Sequence, residues 1–283
     1  MNTNALLAVW LFFFLNYSSA QQYLQGRVID ADTREPVPFV NIGITKLNTG
    51  TVSDEQGRYK LRIAAPEQVV AFSSIGYHTE NIPMETLAKN GEVALRPRPY
   101  DMPTVELKAG ALSEEEIVLG DRLEEQGHSI GFGSSELGTE IAAHIRIDKE
   151  TWIKSAHFAI NHAAGDSLLF RVNLYDFEGG RVGENLLPEN VLVATEQKKG
   201  TIDVGLSEFN LVVSRDVLLS LEWIKDDDGK GNVGLTFRSA KSRRGDNLYS
   251  KHTSQAPFRR MSSLFPGAPK LELGFYLTGK QAR

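Results

Sequence analysis

The chain has 283 residues, with 31 Lys and Arg against 36 Asp and Glu for a formal charge of −5, and it contains no cysteine. With 41% apolar and 24% charged residues the composition is globular, and its mildly acidic, mixed-sign balance argues against a nucleic-acid partner, which needs a basic face. The missing thiols exclude disulfides, cysteine catalysis, cysteine-ligated clusters, thiolate zinc sites and a lipidated cysteine anchor.

Residues 1–20 carry no charged side chain, and Ala5 to Leu15 is an unbroken apolar run. That run is shorter than the roughly 20 residues a membrane helix needs. With small residues at Ser18-Ser19-Ala20, it predicts a cleaved signal peptide over 1–20, although Met1 to Asn4 supply no Lys or Arg. The mature chain is then expected to start at Gln21, to work outside the cytoplasm, and to contain no transmembrane span.

From Tyr23 to about Val105 the pattern is strand, turn, strand. Leu24, Gly26 and Val28 alternate with Gln25, Arg27 and Ile29, and Tyr59, Leu61 and Ile63 alternate with Arg58, Lys60 and Arg62. A period of two marks a half-buried strand. Phe39 to Ile44, Val69 to Phe72 and Glu92 to Leu95 are further strand candidates. Gly50 and Gly57 sit in turn clusters that favour positive φ, and Asp54 is placed to cap its own turn. Pro36 and Pro38 suit a loop or an edge.

Gly26-x-Val28-x-Asp30, Pro36-Val37-Pro38-Phe39-Val40-Asn41-Ile42, Gly50-Thr51-Val52-Ser53-Asp54-x-x-Gly57-x-Tyr59 and Phe72-Ser73-x-Ile75-Gly76-Tyr77 follow one another in this order. Together they closely resemble the carboxypeptidase-regulatory-like (transthyretin-like) domain of Bacteroidetes envelope proteins. The resemblance implies a small β-sandwich over 21–100, accessory rather than catalytic, and an address in the cell envelope.

Residues 101–128 read as a linker. Pro97, Pro99 and Pro103 interrupt any ladder, and the stretch from Ser113 to Glu125 carries five net negative charges, which favours solvation. Ser113 with Glu116 also fits a helix-capping pair.

Residues 129–283 form a second β-rich unit. Ile141, Ala143, Ile145 and Ile147 alternate with Ala142, His144 and Arg146. Phe170, Val172 and Leu174 alternate with Arg171, Asn173 and Tyr175, and Leu271, Leu273, Phe275 and Leu277 form a closing strand. Trp152, Lys154, Ala156, Phe158 and Ile160 are expected on one strand face. About nine strands predict a jelly-roll-like sandwich. Ser129-Ile130-Gly131-Phe132-Gly133, Ser220-Leu221-Glu222-Trp223-Ile224 and Gly274-Phe275-Tyr276-Leu277 look like the region that follows the regulatory-like domain in a group of short Bacteroidetes proteins. That likeness implies architecture and location only. The fold class is therefore all-β: a transthyretin-like sandwich followed by a jelly-roll-like one.

No catalytic motif stands out. The six histidines have no Glu three residues on, as a zinc peptidase helix requires, and His157 and His162 face opposite ways along one strand. Gly133-Ser134-Ser135-Glu136 lacks the second glycine of a nucleophile elbow. Gly229-x-Gly231-x-x-Gly234 follows Asp226-Asp227-Asp228 and leads into a strand, which reads as a hairpin turn rather than a dinucleotide loop. The acidic trio also suggests a calcium loop, but Lys230 stands where an oxygen ligand is needed. No catalytic residue, cofactor or metal site is predicted.

The one unbalanced stretch is basic. Between Arg238 and Arg260 seven cations face only Asp246, interleaved with Tyr249, His252 and Phe258. Arg243, Arg244, Tyr249, His252, Arg259 and Arg260 are the candidate ligand-binding residues, since guanidinium forks suit carboxylate and phosphate groups. Trp223 is expected in the core, and Trp152 and Tyr175 are candidate sugar-stacking rings. The leading expectation is a non-catalytic exported module, periplasmic or associated with the outer membrane or surface, that binds or scaffolds another envelope component, an envelope protein or a glycan. The alternative is a glycan-binding module, whose discriminator is whether Trp152, Tyr175 and Tyr249 lie exposed on one concave surface. The roughly 180 residues after the first unit are too few for a 22-stranded transporter barrel.

Overall fold

The computed structural model describes residues 22–63, 68–99, 113, 115–124, 127–132, 136–164, 168–195, 199–226, 234–242 and 245–282. The expected signal peptide, Gly133 to Ser135, the calcium-loop candidate from Asp227 on, Arg243 and Arg244 lie outside the described residues. No described helix is long and apolar enough to cross a membrane.

The N-terminal unit has seven strands: β1 (Tyr23–Asp30), β2 (Asn41–Ile44), β3 (Thr49–Val52), β4 (Arg58–Arg62), β5 (Val69–Ser73), β6 (Glu80–Pro83) and β7 (Glu92–Leu95). They make two sheets, ordered β4-β1-β7 and β3-β2-β5-β6. The alternation read in the sequence sets the register: Leu24 faces Leu61 and Gly26 faces Tyr59 across β1 and β4. Between the sheets Val28, Ile42, Leu61, Phe72 and Leu95 are fully buried. The Tyr59 ring meets Phe72 of the other sheet edge-on, with centroids 5.4 Å apart. Gly26 permits this packing, because a Cβ there would lie 1.9 Å from the Gly91 carbonyl oxygen.

The turn before β4 follows the sequence. Gly57 has φ +72°, and the Asp54 carboxylate accepts from the backbone N–H groups of Gln56 and Arg58 at 2.9 and 2.8 Å. Gly50 does not. It lies within β3, and Asn48 takes the left-handed turn position with φ 47°. The reason for the glycine is steric: a Cβ at 50 would stand 1.9 Å from Thr253 Oγ1 of the second unit. A short helix, α1 (Met84–Lys89), was not expected. It buries Met84 and Leu87 and is too short to show a helical period.

The second unit contains β8 (Ile117–Gly120), β9 (His128–Gly131), β10 (Glu140–Ile145), β11 (Thr151–Ala164), β12 (Leu168–Glu178), β13 (Arg181–Asn185), β14 (Val191–Thr195) and β15 (Gly200–Gly205). It continues with β16 (Val212–Val213), β17 (Val217–Asp226), β18 (Gly234–Lys241), β19 (Leu248–Lys251), β20 (Arg259–Arg260), a one-turn helix α2 (Met261–Leu264), β21 (Leu271–Leu273) and β22 (Phe275–Gln281). One sheet runs β13-β12-β17-β10-β19-β20, with β14 also on β12. The other runs β21-β18-β11-β22-β8, with β15 and β16 also on β11 and β9 on β18. Phe158, Phe170, Trp223, Phe237 and Phe275 fill the space between the sheets, and Trp223 is fully buried as expected.

Two local expectations change. Ile117–Gly120, inside the stretch read as a linker, is an edge strand on β22. Glu116 there forms an ion pair with Lys154 at 2.6 Å instead of capping a helix. In β11 a register shift between Ile153 and Ser155 reverses the face. Ile153 is buried with Ala156, Phe158 and Ile160, whereas Trp152 and Lys154 fall on the other side.

The two units meet along β2, β3 and β5 on one side and the loop after β19 on the other. Ser254 Oγ lies 2.8 Å from the Ile42 carbonyl and 3.1 Å from that of Thr51, and Gln255 Nε2 donates to the Asn41 carbonyl and to Ser73 Oγ. Phe39 and Val52 bury against Ile224, with Leu137 and Leu169 beside them. Lys225 pairs with Glu55 at 2.9 Å.

Candidate functional site

The strand alternation of the second unit predicts two faces, and both are covered. Phe170, Val172 and Leu174 of β12 point into the core, and Arg171, Asn173 and Tyr175 point toward the N-terminal unit. Register then brings four charges into one row across four strands. Arg171 stands opposite Glu222, Glu222 opposite Glu140, and Glu140 opposite Lys251. Two glutamates directly opposed would repel. Each has an outer cation: Arg171 lies 2.8 Å from Glu222, and Lys251 is in direct contact with Glu140.

All four side chains are buried, and further hydrogen bonds support the row, although Arg171 Nη2 and Glu222 Oε1 have no hydrogen-bond partner among the described residues. Asn173 donates to both carboxylates, and Ser220 Oγ and the Tyr175 hydroxyl donate to Glu140. Burial alone would push the Glu222 carboxyl up, but Arg171 and Lys251, with the hydrogen bonds from Asn173 and Arg171, hold it below the usual carboxylate range. Burial pushes the Tyr175 hydroxyl well above its ordinary value, and the neighbouring Glu140 and Glu222 add to the effect. Burial and the facing Glu222 push the Glu140 carboxyl up, against Lys251 and the Ser220 hydrogen bond; with both carboxylates ionised, two anions and two cations balance across the row.

Arg171 also reaches across the junction. Its Nη1 donates to the Phe39 carbonyl at 2.8 Å and to Asn190 Oδ1 at 3.0 Å. Phe39 holds φ 55°, an uncommon value for an aromatic residue, and turns that carbonyl to the guanidinium.

Above the row a cleft of about 390 Å³ opens between the units. Arg171, Asn173 and Tyr175 form its floor, the Ser73–Thr79 loop one wall, and the β12–β13 hairpin with Asn185 the other. The loop is shaped by a tight turn in which Tyr77 N–H donates to the Ser74 carbonyl and Gly76 takes φ +81°. The Tyr77 hydroxyl donates to Asp30 at 3.0 Å, and burial together with that carboxylate raises it to about 12. Asn41 Oδ1 and Ser74 Oγ are buried at the cleft without a hydrogen-bond partner among the described residues.

Among the described residues, the expected basic stretch is split between buried and exposed positions. Tyr249 is 5% exposed, and its hydroxyl accepts from Arg260 Nε at 3.1 Å and Nη2 at 2.8 Å, so its ring offers no stacking face to a ligand. Lys251 is withdrawn into the buried row, and Arg238 donates to the carbonyls of Leu123 and Glu124. His252, Arg259 and Arg260 are exposed. Trp152 lies on the other sheet from Tyr175 and Tyr249, so the three rings share no surface. The histidines disperse as well. His144 pairs with Asp216 at 2.7 Å, whereas His157 bonds Asp203 at 2.6 Å and Thr278 at 3.1 Å. That hydroxyl–imidazole–carboxylate order is the connectivity of an activated nucleophile, but Thr278 also bonds Glu116, and none of the three lines the cleft. Among the described residues no cluster of three or more His, Asp or Glu is placed to hold a metal ion.

Comparison with known proteins fits the N-terminal unit. A TonB-dependent receptor of Formosa agariphila is 28% identical over 145 residues, which is 51% of this chain and 12% of the receptor. Among solved structures, the clostridial cysteine protease Cwp84 after propeptide cleavage aligns over 83% of this chain and 52% of its own, with 9% identity and a TM-score of 0.42. A structure of infectious bursal disease virus covers 87% of this chain and 55% of its own, with 11% identity and a TM-score of 0.26. These two likenesses are too distant to carry an argument. The resemblance carried by the Gly26, Pro36, Gly57 and Gly76 motifs has its counterpart in the family comparison: residues 24–105 match the CarboxypepD_reg-like domain.

Proposed function

We propose that this chain is an exported, non-catalytic component of the cell envelope that binds or scaffolds another envelope component. The observation that carries the reading is the junction. Two sandwiches pack through buried hydrogen bonds and leave clefts between them, and the polar one over Arg171, Asn173 and Tyr175 has most of its floor side chains held by neighbours. Ligand sites favour concave surfaces with a few convergent polar groups, often where domains meet. Similarity of half the chain to a TonB-dependent receptor supports the envelope address, as does the apolar run at Ala5 to Leu15. In this reading 1–20 is a signal peptide, 21–100 and 129–283 are the two modules, and the location is periplasmic or surface-associated.

Fractionation of intact cells followed by crosslinking and mass spectrometry tests the proposal. The reading expects the chain in the envelope fraction, shortened at its N-terminus, with one recurrent envelope partner. Recovery in the cytoplasmic fraction, or hydrolytic turnover by the purified protein, would overturn it.

A further inference from the structure

We infer that the cleft between the two units is a binding site for a neutral, hydroxyl-rich ligand of the saccharide class. The inference rests on reading the cleft as the binding site.

The charges at the cleft select against an ionic ligand. The Arg171 guanidinium is engaged by Glu222, and the two buried pairs cancel. At the rim Arg98 faces Glu184 at 3.7 Å. An anion would have to displace one of these carboxylates, and a cation one of the guanidinium groups. Apart from the exposed His78 imidazole, the remaining polar lining consists of amides and hydroxyls, groups that both donate and accept, as a ring of sugar hydroxyls does. Asn41 Oδ1 and Ser74 Oγ, on residues that line the cleft, are buried with bonding capacity unused by the described residues. A buried polar group gains most when a partner arrives, because its cost of desolvation is already met.

A peptide fits less well. Extended peptides add to an open strand edge; β2 and β12 are paired on both sides, to β3 and β5 and to β17 with β13 and β14, so the open edge at the cleft is that of the short wall strand β13. Peptide grooves also need apolar side-chain pockets, whereas only Ile75 and Leu187 bring aliphatic groups to this cleft. The rings of Tyr77 and Tyr175, whose hydroxyls are fixed by Asp30 and Glu140, supply the aromatic component.

The test is a printed array of neutral, uronate-bearing and sulfated oligosaccharides, followed by calorimetry of the tightest neutral hit. The expected result is saturable binding that added salt leaves unchanged. Ser74→Ala should weaken it by about tenfold, the worth of one hydrogen bond. Thr79→Trp, at an exposed rim position, should abolish it without altering the melting temperature. Arg259→Ala should bind as the parent does. Binding only to charged glycans, abolished by salt or by Arg259→Ala, would overturn the inference and return the site to the basic stretch. Preferential binding of an unstructured peptide library would overturn it too. If the folded protein takes no neutral saccharide, the inference fails, and the crosslinking experiment above still decides the broader reading separately.

Discussion

Arg171 bonds the Glu222 carboxylate, the Phe39 carbonyl and the Asn190 side chain, partners from three parts of the chain. A buried ion pair of this kind is a weak source of net stability, but removing one member leaves the other charged and dry. Arg171→Ala is therefore expected to cost about 3–5 kcal/mol in urea unfolding. Arg171→Met with Glu222→Met should cost much less, because both charges leave together. A second expectation concerns alkali. Burial raises the Tyr59 hydroxyl to about 12, and burial with the Asp30 bond does the same for Tyr77. A hydroxyl whose value is raised on folding adds stability that is complete below its unfolded value of 10.0 and is lost as pH rises through 12. Stability should therefore fall between those two values, and Tyr77→Phe should flatten that decline. Tyrosinate absorbance read alongside unfolding checks both.

At the scale of elements, the strands with one wet face were legible in the sequence. Tyr59 and Leu61 are buried and Lys60 is exposed, as their alternation predicts. Phe170, Val172 and Leu174 also fall in the core, but of their alternate partners Arg171 and Asn173 do not meet water and Tyr175 is half-buried. Arg171 and Asn173 face a second domain, and nothing local distinguishes a solvent face from a junction face. The charged row was illegible for the same reason: its members come from β10, β12, β17 and β19 and meet only through register. Local composition placed Tyr249 and Lys251 in a basic patch, whereas tertiary packing buries them. Trp152 was assigned to the wrong face because a bulge between Ile153 and Ser155 resets the period, and residue types do not record a bulge.

Gly50 belongs to this scale too. The constraint on it is a loop about two hundred residues away, so it reads as a turn glycine until the junction is seen. Gly50→Val should push the Thr253–Gln255 loop off β3 while leaving the N-terminal core intact. The expected signature is faster amide exchange at Ser254 and Gln255, with little change at Leu61 and Phe72. Gly76→Ala gives the contrast, since nothing lies near a Cβ there and only the positive φ is strained. It should cost about 1 kcal/mol and leave the junction closed.

For the whole molecule, a preformed cleft requires the two sandwiches to keep one relative position. The apolar contact of Phe39 and Val52 with Ile224, the Ser254 and Gln255 hydrogen bonds and the Arg171 bridge all cross the junction. The cleft has a defined shape only while they hold. Unfolding should then be a single transition that Gly50→Val separates into two, which differential scanning calorimetry would resolve.

The chain has no cysteine, so spin labels can be placed without background. Lys60 of β4 and Glu178 of β12 are exposed positions on opposite sides of the junction. The most direct measurement is the distance distribution between labels at Lys60→Cys and Glu178→Cys by pulsed electron resonance. A fixed junction predicts one narrow distribution that broadens when Gly50→Val is added. A broad distribution in the parent pair would mean that the modules move independently and that the cleft is not a preformed site.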